Sequence, residues 1–155
     1  MRVCGCVLNA VKSLGKILMS EITAVGYFMN GLKKEWGAHC IKHNDSTIGI
    51  PDISTHLLRH GTQWVEVKAT MKWPARDATK LHWEHYTEEQ ALFLKRREGW
   101  LFVRVAREYF LFNAQEAWAM WECAGFNKQE FIARSIAHWK MKVDFKHLGA
   151  IIWAL

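Results

Sequence analysis

No part of the chain reaches the ~18 uninterrupted apolar residues that a membrane-spanning helix requires, so no membrane role is expected. The four cysteines, Cys4, Cys6, Cys40 and Cys123, match no zinc-ligand spacing, and Cys4-Gly5-Cys6 is too short for a redox Cys-x-x-Cys. Reduced, structural thiols in a cytoplasmic setting are the expectation. The eight histidines form no ligand motif. Repeats, low-complexity segments and domain linkers are also missing, so the 155 residues suit one domain with one core. The opening apolar run is interrupted by Asn9 and Lys12 and no small-residue cleavage site follows, which argues against a secretory signal. Met19-Ser20-Glu21 has the look of a native start. Residues 1–18 are therefore expected to be an extension, helical through Val7, Leu8, Val11, Leu14 and Leu18, and residues 19–155 the domain proper.

What the chain does have is positive charge and indole. Its net charge is +6, which favours nucleic acid or an anionic surface as partner without saying anything about fold. Most of the nine tryptophans are expected to pack in the interior. Trp73 and Trp83 stand apart, because residues 71–86 are polar, basic and irregular. A long irregular loop in a compact domain is usually functional or disordered. Bases stack on indoles and phosphates pair with cations, so Lys72, Trp73, Arg76, Lys80 and Trp83 are candidate nucleic-acid contacts.

Apolar residues Ile22, Val25, Met29, Leu32 and Trp36 recur at helical spacing, and Gly37 stops that helix. Residues 39–43 read as a strand and residues 44–47 as a turn. Residues 52–58 and 64–69 read as two strands joined through Arg59-His60-Gly61-Thr62, with Pro51 at the tolerated first position. Thr87 and Gln90 form a capping box for a helix that Gly99 ends. Residues 100–106 and 109–112 read as strands. Asn113 with Glu116, and Asn127 with Glu130, open two further helices. Residues 143–147 are read as a possible strand. Helices flanking a mixed sheet follow from this order.

Side chains alternate along a strand, so Trp64, Glu66 and Lys68 share one face and Val65, Val67 and Ala69 the other. Asp52, at the start of the neighbouring strand in Gly49-Ile50-Pro51-Asp52, can approach Glu66 across the hairpin. Two close carboxylates repel and so favour a bound cation. Asp52, Glu66 and the Val67 main-chain carbonyl would offer oxygen ligands to Mg²⁺ or Mn²⁺, and Lys68 could orient a water or offset transition-state charge.

With these strings in place, the chain resembles the PD-(D/E)XK nuclease superfamily, and within it the VRR-NUC and Holliday-junction-resolvase-like group. Pro51-Asp52 and Glu66-Val67-Lys68 match the two halves of the motif, and Gly49 to Asp52 matches the Gly-x-Pro-Asp string. The resemblance spans roughly residues 19–112. It implies an α/β, restriction-endonuclease-like core in αβββαβ order, followed here by C-terminal helices over residues 113–155. It also assigns Glu21 as an acidic residue joining the metal site from the first helix, with Glu35 on nearly the same face. Gln90 would be the glutamine opening the next helix, and Lys42 the lysine on the preceding strand. The implied activity is a metal-dependent DNA endonuclease, selective for branched or junction DNA in bacterial or phage repair and recombination. A homodimer is the implied assembly, with no organic cofactor. A restriction-like or RNA-directed nuclease, or an inactive nucleic-acid-binding module, are the alternatives.

Overall fold

The computed structural model describes residues 5–43 and 49–155, with side chains described from Glu21 onward. Helix α1 (Gly5–Trp36) leads to β1 (His39–Lys42), β2 (Ile53–Leu57) and β3 (Gly61–Thr70). Then come α2 (Glu88–Arg97), β4 (Trp100–Val105), β5 (Glu108–Asn113), α3 (Ala114–Glu122), α4 (Lys128–Arg134), β6 (Ala137–Lys140) and α5 (Phe145–Ile152). The six strands lie in sequence order in one sheet. Only β3 and β4 run parallel, because α2 lies between them in the chain; all other neighbours are antiparallel. The expected α/β class, αβββαβ order and flanked mixed sheet are all present, followed by the expected C-terminal helices.

Each face of the sheet carries its own core. Val65, Val67, Ala69 and Phe102 pack with Phe28 and Leu32 of α1 and with Leu148 and Ile152 of α5. Leu101, Val103, Phe110 and Phe112 pack with Leu94 of α2, Met120 of α3 and Phe131 of α4. Burying both faces suits the apolar central strands β3, β4 and β5.

Three elements differ from the sequence reading. Helix α1 runs without a break through residues 18 and 19, and its apolar stripe is rotated: Ala24, Val25, Phe28 and Leu32 are buried, while Ile22 is 53% exposed. The face from Val7 to Leu18, and the turn over residues 44–47, lie outside the described residues. Residues 143–147 are not a strand, because Asp144 accepts from the Lys146 and His147 amides and caps α5. The last strand is instead β6, which completes the sheet against β5. The three capping sites lie where expected, and the boxes at Thr87 and Asn127 are reciprocal.

Helices α1 and α5 meet through small residues. The Trp36 indole seats over Gly149, the Phe145 ring seats over Gly31, and Trp36 Nε1 donates to the Phe145 carbonyl at 2.7 Å. A methyl group at position 149 would overlap the indole. Gly149→Ala should therefore cost roughly 1–3 kcal/mol through overpacking, read as a lower denaturation midpoint, and Trp36→Leu should restore part of it.

Candidate active site at the open edge of the third strand

The site arises because β3 is longer than β2. Ile53 and Val65 are the last paired residues of those two strands, and β3 continues to Thr70 with its edge uncovered. Backbone groups on such an edge need partners. Side chains supply them. The Val67 amide donates to Asp52 Oδ2 at 2.9 Å, the Ala69 amide donates to Glu21, and the Ala69 carbonyl accepts from Trp83 Nε1 at 3.3 Å. The exchange is reciprocal at the top of the wedge, where the Asp52 amide donates to Glu66 Oε2 at 3.2 Å. By strand alternation the Val67 carbonyl lies on the same edge as its amide. Asp52 is held from its other side by β1, since the His43 amide donates to the Asp52 carbonyl at 2.8 Å.

Glu66 and Lys68 project toward α2 and α3, where they are almost wholly buried, and Lys68 Nζ lies 2.7 Å from Glu66 Oε1. Such burial excludes a solvated surface pair. Glu66 Oε1 makes no hydrogen bond of good geometry, so its main partner is the Lys68 charge. Buried Glu21 Oε1 also lacks a hydrogen bond. Burial pushes the Glu66 carboxyl up to about 8, with Lys68 opposing the rise and Asp52 adding to it. Burial raises Glu21 as well, offset partly by Lys68 and His85. For Lys68, burial works against the ammonium, but the carboxylates of Glu66, Glu21 and Asp52 outweigh it and hold the pKa above the usual lysine value. Three acidic groups thus surround one buried cation. Glu35, the other acidic residue proposed on α1, is exposed.

Among the described residues no three His, Cys, Asp or Glu side chains are arranged to hold a metal ion. Two carboxylates nevertheless fit Mg²⁺, which retains several waters and is commonly held by one or two carboxylates. Asp52 and Glu66 provide hard oxygen donors, and the buried Glu21 Oε1, which accepts no hydrogen bond, leaves acceptor capacity unused. The Lys68 ammonium now takes up the Glu66 oxygen that a metal would need.

The outer candidates are less uniform. Gln90 Oε1 accepts from the Thr87 amide at 3.1 Å, so the capping role is realised. Lys42, Lys72 and Arg76 are exposed. Lys80 donates to the Cys123 carbonyl at 2.9 Å and so ties its loop to the end of α3. Trp73 is half-buried, donates to Glu108 Oε1 at 2.9 Å, and sits edge-on to Phe110 and Phe131. Trp83 must be corrected as a stacking residue: it is 8% exposed, faces Phe131, and holds the Ala69 carbonyl, so its ring belongs to the core. His85, beside Glu21, escaped the sequence reading because a histidine in an irregular segment carries no periodicity that would place its side chain.

No family model matches the chain, and no curated protein matches it. Among solved structures, it is similar to Hjc, a Holliday junction resolvase from the archaeal hyperthermophile Archaeoglobus fulgidus. The identity is 20%, the match covers 57% of this chain and 74% of that one, and the TM-score is 0.40.

The buried Glu66 gives the metal-free fold a pH signature. Folded, it keeps its proton up to about 8; unfolded, it loses the proton near the ordinary value of 4.5. The unfolded chain binds fewer protons between those values, so stability falls as pH rises through that window. Glu66→Gln should flatten the fall by roughly 3–4 kcal/mol, measured by denaturation in EDTA at pH 5 and pH 8.

Proposed function

We propose that the protein is a divalent-metal-dependent nuclease that hydrolyses phosphodiester bonds in DNA, with branched or junction DNA as its substrate class. The observation that carries this reading is the convergence of Asp52, Glu66 and Glu21 on Lys68 in the wedge beside β3. Asp52, Glu66 and the Val67 carbonyl would hold Mg²⁺ or Mn²⁺. When bound, the ion would supply Lewis acidity to a phosphoryl oxygen and lower the pKa of a coordinated water.

The chain's own residues set the remainder of the chemistry. Asp52 is fixed by the Val67 amide and by β1, so its carboxylate is already oriented. Preorganisation of this kind avoids reorganisation when charge develops. Lys68 stays protonated among the acids and, once released from Glu66, offers a cation to the attacking water or to the scissile phosphate. Glu21 balances that charge from α1. Exposed Lys42, Lys72 and Arg76, with the net charge of +6, favour approach of a polyanion.

Incubation with duplex, single-stranded, flap and four-way DNA, each with Mg²⁺ and with EDTA, tests the reading. Cleavage should require the metal and favour the branched substrates. Asp52→Asn and Lys68→Met should each lower the rate at least ~100-fold, an effect typical of losing one preorganised group, while far-UV circular dichroism and DNA affinity remain near the parent's. A Lys68→Met protein that cleaves like its parent would sink the mechanism.

A further inference from the structure

A second concave feature lies against the C-terminal end of α3. It is a cleft of about 240 Å³ whose lining includes His82, Glu84, Tyr86, Met120, Trp121 and Gly125. The segment that walls it also borders the candidate active site. His85 acts electrostatically on Glu21, and Trp83 holds the Ala69 carbonyl on the open edge of β3. One short stretch of chain thus faces the carboxylates on one side and the cleft on the other.

The cleft is built rigidly. Leu81 and Phe126 form a two-bond bridge, with the Leu81 amide donating at 2.8 Å and the Phe126 amide at 3.3 Å. Lys80 holds the Cys123 carbonyl, and the Tyr86 hydroxyl donates to the Ala117 carbonyl at 2.9 Å. Gly125 makes the closeness possible: its φ is +96°, and a Cβ there would run into the Leu81 carbonyl. These contacts fix the aromatic walls before any ligand arrives, which lowers the entropic cost of binding.

The shape and chemistry select a class of ligand. The volume is below the ~300–1,000 Å³ of sites for drug-sized molecules, which leaves room for one planar ring system. Trp121 is half-buried, with part of its surface open. Its ring lies 5.1 Å from that of Trp118, over which Lys95 Nζ sits at 4.3 Å. Indole for a base, with a lysine cation over the adjoining indole for phosphate, is the combination that holds single-stranded nucleic acid. Exposed Glu84 adds an acceptor at the rim, suited to the amino group of a base.

We propose that this cleft receives one unpaired nucleobase of the nucleic-acid substrate, stacked on Trp121 with its edge toward Glu84. The proposal rests on the nuclease reading for its substrate and gives that substrate a selectivity: a nucleotide that cannot leave its stack cannot enter. Unpaired positions are the cheapest to unstack, which favours single strands and branch points over intact duplex.

The test measures binding in EDTA, so that cleavage plays no part. Fluorescein-labelled duplexes are compared with the same duplexes carrying one unpaired nucleotide. The parent should bind the unpaired form about 10-fold more tightly, and Trp121→Ala should remove that preference while leaving intact-duplex affinity unchanged, within the ~5- to 150-fold range of a lost base stack. Glu84→Gln should change which unpaired base is preferred. Equal affinity of the parent for both DNAs, or an equal loss on both from Trp121→Ala, overturns the proposal. Should Trp121→Ala not fold, the parent comparison and Glu84→Gln, at an exposed position, decide it. The same proteins assayed with Mg²⁺ separate the two readings. Preference without cleavage sinks the nuclease alone, and cleavage without preference sinks only the base cleft.

Discussion

A carboxyl group and an ammonium lie 2.7 Å apart, shut away from water, beside a sheet edge that no strand covers. Burying such a pair is seldom favourable for folding, because the loss of hydration of two ions is of the same order as their attraction. An apolar pair of similar volume in β3 would pack against Leu101 and Val103, the neighbours of Glu66 and Lys68 in β4, at no such cost. The pair also attracts two further acids, Asp52 and Glu21, which raises the electrostatic burden. A group retained at such a cost is what a site would require, and it is the basis of the proposed chemistry. Perturbed ionisable groups of this kind concentrate where chemistry is done.

The surrounding elements can be understood as what this group requires. Strand β2 begins only at Ile53, and that late start frees the edge of β3 for side-chain partners. The β1–β2 pair then places Asp52 in the gap, and α1 passes close enough for Glu21 to take the Ala69 amide. Trp83 closes the far end by holding the Ala69 carbonyl. Each partner replaces a ladder hydrogen bond that a longer β2 would have made. The Val67 and Ala69 amides and the Ala69 carbonyl are thereby satisfied internally, which also hinders pairing of this edge with another chain.

Much of this was legible in the sequence because it depends on local rules. Alternation along β3 put Glu66 and Lys68 on one face and Val65 and Val67 on the other, and capping residues at Thr87, Asn113 and Asn127 marked three helix starts. What was missed depends on contacts between distant segments. The strand β6 is four residues long and carries no clear alternation, so only its pairing with β5 defines it. Residues 143–147 looked extended because Val143 and Phe145 alternate with polar residues, yet Asp144 caps a helix there. Ile22 fits the helical stripe by spacing but lies on the side of α1 that the sheet does not cover.

Tryptophan shows the same division most sharply. Composition places Trp73 and Trp83 in a basic loop, where an indole reads as a stacking surface. The fold uses both rings as anchors: Trp83 to β3, and Trp73 to Glu108 and the Phe110–Phe131 cluster. Anchoring the loop in this way makes a wall of it, and that wall defines the cleft beside Trp121. An indole can serve recognition only where one face stays uncovered and the other is supported. In an amphipathic helix such as α3, that condition falls on residues at the boundary between buried and exposed faces, where Trp118 and Trp121 lie. Local charge is thus a poor guide to which aromatic ring meets a ligand. The position of the ring relative to the core boundary is the better one, and it puts the proposed recognition on α3 and the proposed chemistry on β3, with a single stretch of loop between them.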